Sequence, residues 1–246
     1  MYLRRIKWCF LRKKIMSLFD DFISLFFPHL CYACDDALRK NEDVLCSICL
    51  NSLPKTDFHL KTENPVSRLF WGRANLQAAT AYYFFHKGDK VQHLIHQLKY
   101  KSARKVGIFI GEQMGIELKN SDVFSSVNII VPVPLHPKKE KQRGYNQSEM
   151  FGVGLSRTLR RPMNKNILYR KQFTASQTRK TRSERWENVE NVFAVHNPES
   201  FSGKHLLLID DVITTGSTIE ACIHALETIP DVKISIAVMA TAMSEM

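Results

Sequence analysis

Residues 206–218 read Leu206-Leu207-Leu208-Ile209-Asp210-Asp211-Val212-Ile213-Thr214-Thr215-Gly216-Ser217-Thr218. Four consecutive apolar residues in so short a run predict a buried strand. Two carboxylates stand at its C-terminal end, followed by a hydroxyl-rich turn with one glycine and an amphipathic helix over 218–229. Open α/β sheets bind their ligands outside that end of the strands. Thr214, Thr215, Ser217 and Thr218 offer hydroxyls, the turn offers backbone N–H groups, and Gly216 lets the backbone come close. With the partial positive charge of the helix start, these groups make a phosphate cradle. A phosphate dianion would repel Asp210 and Asp211, so the pair is expected to face the vicinal hydroxyls of a sugar or a hydrated Mg²⁺.

Working outward, strands are expected over 76–85, 127–133, 193–195 and 232–240. Helices are expected over 90–100, where Val91, Leu94, Ile95 and Leu98 share one face, over 106–118, and over 145–159. Strands alternating with helices imply βαβ units, so the fold class is α/β with a parallel sheet. Residues 51–75 read as a linker or a lid, and no internal repeat is present. The implied division is a basic, amphipathic extension over 1–27, a metal module with its linker over 28–75, and the α/β domain over 76–246.

Cys31, Cys34, Cys46 and Cys49 follow the pattern C-x2-C-x11-C-x2-C. Each C-x2-C turn brings two sulfurs onto one cation, and two turns close a four-thiolate structural site. Zinc is the expected ion, with an iron–sulfur cluster as the alternative. The intervening loop, DDALRKNEDVL, is too polar to form a core, so the metal would replace one. Cys9 and Cys222 read as small packing residues.

The chain has 246 residues, 44% hydrophobic and 24% charged, which is enough apolar material for a core and excludes wholesale disorder. No apolar run is long enough to cross a bilayer. The formal net charge of +11 is unevenly spread: residues 136–185 carry 14 basic and 3 acidic side chains. Such a field attracts phosphorylated ligands or nucleic acid backbones. Residues 1–15 carry six basic side chains, and Asp20 and Asp21 interrupt the apolar stretch that follows, so a secretory signal is not expected. Either Met16 is the start, or residues 1–15 form a basic tail that touches a membrane surface or a partner.

The ten residues Leu208–Ser217 resemble the phosphoribosyl-pyrophosphate (PRPP) loop of type I phosphoribosyltransferases. The segments Lys99-Tyr100-Lys101, Val131-Pro132-Val133-Pro134-Leu135, Arg143-Gly144-Tyr145-Asn146-Gln147 and Gln177 through Arg185 to Asn188, together with the cysteine pattern, occur in the order found in the competence-associated ComF family. The chain resembles that family over roughly residues 16–242. The resemblance implies a type I phosphoribosyltransferase-like core with an N-terminal four-cysteine zinc module, and binding of PRPP with Mg²⁺. It assigns the ribose hydroxyls to Asp210 and Asp211 and the 5′-phosphate to residues 214–218, with Val212 and Ile213 in the same PRPP-binding loop. It further implies a cytoplasmic role in handling incoming single-stranded DNA during transformation. The zinc module would be free to dock a competence helicase or a recombination mediator.

In this reading the turn after Val131-Pro132-Val133-Pro134 binds pyrophosphate. Such loops usually contain glycine. Here the first glycine, Gly144, comes only after Lys138, Lys139, Lys141 and Arg143. Residues 171–193 would form a mobile hood that excludes water, with Arg179, Lys180, Arg182 and Arg185 approaching the diphosphate. Tyr145, Phe151, Tyr169, Phe173 and Trp186 are candidates for stacking on nucleic acid bases, although most are expected in the core. No residue stands out as a catalytic base, and the acceptor is not legible. A PRPP sensor, a DNA-binding module and a scaffold are the non-catalytic alternatives.

Overall fold

The computed structural model describes residues 27–171 and 192–242. The basic extension with Cys9 and Met16, and the hood residues Phe173, Arg179, Lys180, Arg182, Arg185 and Trp186, lie outside the described residues. The chain divides into two compact units, one ending at Ser52 and one beginning at Leu53.

In the first unit the described residues run from Phe27 through an isolated antiparallel bridge, Leu30 to Ala37, to helix α1, Ser47–Ser52. Glu42 fixes the approach to α1. Its Oε1 accepts from the Ser47 backbone N–H at 2.6 Å and its Oε2 from the Arg39 N–H at 2.8 Å. The Arg39 and Ser47 N–H groups and the Ser47 hydroxyl hold its carboxyl down at about 2.

The second unit begins with a short helix α2, Pro65–Arg68, and strand β1, Ala78–Phe84. Helices α3, Lys90–Tyr100, and α4, Arg104–Leu118, follow, then β2, Ile129–Pro132. Helices α5, Pro137–Arg143, and α6, Gln147–Leu159, precede a ribbon of β3, Leu168–Arg170, and β4, Phe193–Val195. Strand β5, His205–Ile213, helix α7, Ser217–Leu226, and strand β6, Lys233–Thr241, complete it. The main sheet has the order β1-β6-β5-β2 and all its pairs are parallel. Leu206–Ile209 and Ile236–Ala240 are fully buried, as central strands covered on both faces must be.

Where the register ends matters for the site. β2 pairs with β5 only from Ile129–Leu206 to Pro132–Ile209. β5 continues to Ile213, held by β6 alone, with Val212 opposite Ala240. The strand expected to stop at Ile209 therefore runs through both aspartates, and from Asp210 onward its β2 side is open.

Two further differences from the expected elements have long-range causes. The segment 51–75, read as a linker or lid, sends several side chains into the core. Phe58, Val66 and Phe70 are almost wholly buried among the β-strand side chains. Buried Asn64 anchors the segment: its Nδ2 donates to the Ala79 carbonyl at 2.8 Å, and its Oδ1 caps α2 by accepting from the Val66 and Ser67 N–H groups. The apolar positions there are too sparse to show a period. In addition, α4 and α6 pack backbone to backbone. A Cβ on Gly111 would collide with the Phe151 carbonyl, and one on Gly154 with the Ile108 carbonyl.

Candidate functional site

Side chains alternate along a strand, so Asp210 and Asp211 leave β5 in opposite directions and meet different partners. Asp210 Oδ1 accepts from the Ser148 hydroxyl and from the Asp211 backbone N–H, both at 2.8 Å. Asp211 Oδ1 accepts from the Val212 N–H at 2.6 Å, and its Oδ2 pairs with Lys99 Nζ at 3.0 Å. Burial, and then the charge of Asp211, push the Asp210 carboxyl up to about 7, against the pull of the Asp211 N–H, Ser148 and Lys99.

Ser148 is positioned by the start of α6. The Asn146 side chain caps that helix by accepting from the Ser148 N–H at 3.0 Å, and its Nδ2 donates to the Val133 carbonyl at 2.9 Å. This ties the helix start to the end of β2 and aims the serine across the sheet edge at Asp210. Arg143 Nη1 donates to Gln147 Oε1 at 2.6 Å, which fixes the guanidinium at the end of α5.

These groups line a cleft of about 360 Å³ at the C-terminal end of the sheet. Its floor carries Asp210, Asp211 and Val212, and its walls carry Lys99, His136, Lys139, Arg143 and Arg170. Acidic floor and basic walls suit a ligand that offers both hydroxyl donors and a polyanion. The cleft adjoins a small hollow of about 50 Å³ lined by residues 212–219 and, on the side shared with the cleft, by Asp210. There Gly216 precedes α7 with φ +78°, a backbone conformation that costs glycine nothing. Thr215 Oγ1 and Ser217 Oγ lie 3.0 Å apart at its mouth. The hollow is the size of one small oxyanion.

Of the residues expected to meet pyrophosphate, Lys139 and Arg143 line the cleft, whereas Lys138 is exposed and is not part of the lining. The expected turn is instead the short helix α5, capped by His136. Tyr145 and Phe151 are buried, as expected of core aromatics, and offer no stacking face. Tyr169 stacks on His196 at 4.0 Å. Ser148, Arg170 and His136 were not singled out from the sequence. Ser148 directly extends the Arg143–Gln147 segment, which is the one signal that could have found it.

In the first unit the four cysteine sulfurs lie within 4.8 Å of one another, and Cys31, Cys46 and Cys49 are buried. Cys34 and Cys46 Sγ are 3.7 Å apart, close to the ~3.8 Å edge of a tetrahedron with metal–sulfur bonds of about 2.3 Å. The Cys46 N–H points at Cys31 Sγ at 3.3 Å, and the Cys49 N–H at Cys46 Sγ at 3.4 Å. Burial raises the Cys31 thiol, but the backbone N–H groups of Cys46, Ala33 and Cys34 outweigh it and leave its pKa below the usual value. Converging sulfurs that already accept N–H bonds fit a metal ion. Cys222 is fully buried in the other unit, as a packing residue.

Residues 146–245 match the phosphoribosyl transferase domain family. The chain is 28% identical over 212 residues to the DNA utilization protein YhgH of Escherichia coli K12, covering 78% of this chain and 88% of that one. It is 38% identical over 91 residues to competence protein F of Haemophilus influenzae, covering 37% of this chain and 40% of that one. It is 25% identical over 196 residues to competence protein ComFC of Bacillus subtilis, covering 77% of this chain and 74% of that one. The chain is thus similar to YhgH and to ComFC over more than three quarters of its length, and its residues 146–245 carry a phosphoribosyl transferase domain.

Proposed function

We propose that the cleft binds PRPP with Mg²⁺ and that the protein is a phosphoribosyltransferase acting in the cytoplasm on incoming single-stranded DNA or its breakdown products. The observation that carries this reading is the adjacency of two subsites at the tip of β5. One is a hollow of oxyanion size at the start of α7, and the other is a carboxylate pair facing basic walls. A sugar that carries a 5′-phosphate, a vicinal diol and a 1-diphosphate matches those features in one pose.

Residues 214–218 would hold the 5′-phosphate through N–H and hydroxyl donors. Asp210 and Asp211 would accept from the ribose diol, with Ser148 keeping Asp210 aimed at it. Lys139 and Arg143 would bind the diphosphate and stabilise charge as the C1–oxygen bond breaks and pyrophosphate leaves, while a nitrogen of the acceptor bonds to C1 and loses its proton to solvent. Bound Mg²⁺ would supply further charge neutralisation on the leaving group. The four cysteines would hold a structural zinc ion.

A second reading, a PRPP-responsive DNA-handling protein without turnover, is favoured by the relatives' printed names, which refer to competence and DNA utilization. Calorimetry with PRPP and Mg²⁺ tests the pocket: binding is expected, and no heat would overturn both readings. Pyrophosphate release against a panel of nucleobases then separates them. Release with any acceptor supports the transferase, and tight binding without release supports the sensor. Binding of single-stranded DNA that weakens steeply with salt would support the nucleic acid role, and a flat salt response would remove it.

A further inference from the structure

We propose that Lys99 is a substrate-gated counterion: in the free protein it neutralises Asp211, and on entry of the sugar diphosphate it exchanges that carboxylate for the diphosphate. This rests on the cleft being a PRPP site, and it adds a residue outside the phosphate loop and outside the basic segment after β2.

Both arginines of the cleft have other engagements. Arg143 is bonded to Gln147, and Arg170 packs over the Phe193 ring at 5.3 Å. Among the described residues, Lys99 alone of the cleft's cations pairs directly with one of the two floor carboxylates. The pair is well shielded, with the Lys99 and Asp211 side chains 21% and 15% exposed.

The two aspartates are not equivalent in what a ligand must displace. Asp210 is held by Ser148 and by a backbone N–H, and neither carries a charge that needs a new partner. Asp211 keeps one oxygen on the Val212 N–H, and the other is occupied by Lys99. A diol that donates to that second oxygen competes with the ammonium. Releasing a shielded ammonium without a replacement anion is unfavourable. PRPP carries the replacement on the adjacent carbon: its diol takes Asp211 while its diphosphate takes Lys99. Ribose 5-phosphate has the diol but no anion at C1, so it would leave the ammonium stranded. Lys99 lies in the last turn of α3, and its flexible four-carbon stem lets the charge move without the helix moving. The exchange makes the pocket discriminate the intact diphosphate from its spent sugar phosphate.

The test is calorimetric titration of wild-type protein, Lys99→Met and Lys99→Arg with PRPP and with ribose 5-phosphate, each with Mg²⁺. Lys99→Met is expected to weaken PRPP binding at least about tenfold, the worth of a charge-assisted bond, while ribose 5-phosphate binding is unchanged or tighter. Lys99→Arg should retain most PRPP affinity, which also shows that the position tolerates substitution. An equal loss for both ligands in Lys99→Met would mean that Lys99 only holds Asp211 in place, and no change for either would mean that it does nothing at the site; both results overturn the proposal. If wild-type protein binds neither ligand, the pocket reading itself has failed, a result distinct from the other two.

Discussion

Residues 27–52 bury Cys31, Cys46 and Cys49 with only Ala33, Val44 and Leu45 beside them, whereas from Leu53 onward several dozen apolar side chains close around a four-stranded sheet. The buried side chains of the first unit converge on one cysteine cluster, and those of the second spread over an area. A metal module concentrates its folding free energy in four bonds, so it is all-or-none with respect to one ion. The α/β unit spreads its stability over many contacts and can therefore keep a costly feature, a pair of neighbouring carboxylates at the end of a buried strand.

The sharpest break in this comparison would come from removing the metal that the four cysteines are proposed to hold. Chelation, or Cys46→Ser with Cys49→Ser, should abolish ordered structure in residues 27–52, since structural zinc contributes on the order of 10 kcal/mol. The α/β unit should keep its own unfolding transition. Hydrogen exchange by mass spectrometry together with metal analysis reads both, and simultaneous collapse of the two units would refute their independence. Next in size, Gly111→Ala or Gly154→Ala should destabilise the α/β unit by about 1–3 kcal/mol, because backbone sits where the methyl would go. Urea unfolding measures the loss, and metal content should not change.

A third prediction sets binding against stability inside the α/β unit. Asp210→Asn should weaken PRPP binding at least about tenfold while leaving the fold intact or more stable at pH 8. The sign follows from a carboxyl whose pKa is raised to about 7 in the folded state from an ordinary value of 3.8. The folded protein then binds a proton that the unfolded chain has released. This group's contribution is therefore neutral below pH 4 and becomes more unfavourable as pH rises to 7, by up to about 1.4 kcal/mol per pH unit. Denaturation midpoints measured across pH 4–8 should fall less in Asp210→Asn than in wild type, and parallel curves would contradict the assignment. The smallest effect is expected for Arg73→Ala. That substitution breaks a surface ion pair with Glu220 and should cost under about 1 kcal/mol, with PRPP affinity unaltered.

The parts legible in the chain are those whose signal is local. The four-residue apolar run before Asp210, the heptad-like spacing of Val91, Leu94, Ile95 and Leu98, and the paired C-x2-C turns each lie within a few residues of themselves, so periodicity or spacing is enough to find them. The hydroxyl-rich turn before α7 is readable for the same reason: it is one contiguous segment. The short helix α5 and strand β3 have no such local signal, because α5 buries no side chain and β3 only Leu168, so neither carries an apolar pattern.

What only the tertiary structure decided joins residues far apart in the chain. Ser148 reaches Asp210 across 62 positions, and Lys99 reaches Asp211 across a still longer separation. Phe58 and Phe70 enter the core from a stretch that looks like a linker, and Gly111 and Gly154 matter only because two helices cross at them. The residue types in this sequence are sufficient to name an α/β protein with a hydroxyl-rich turn after one buried strand and a four-cysteine cluster. Which neutral or charged partner each aspartate receives depends on where β2 stops and on which helices end beside the open strand, and a one-dimensional spacing carries no record of that.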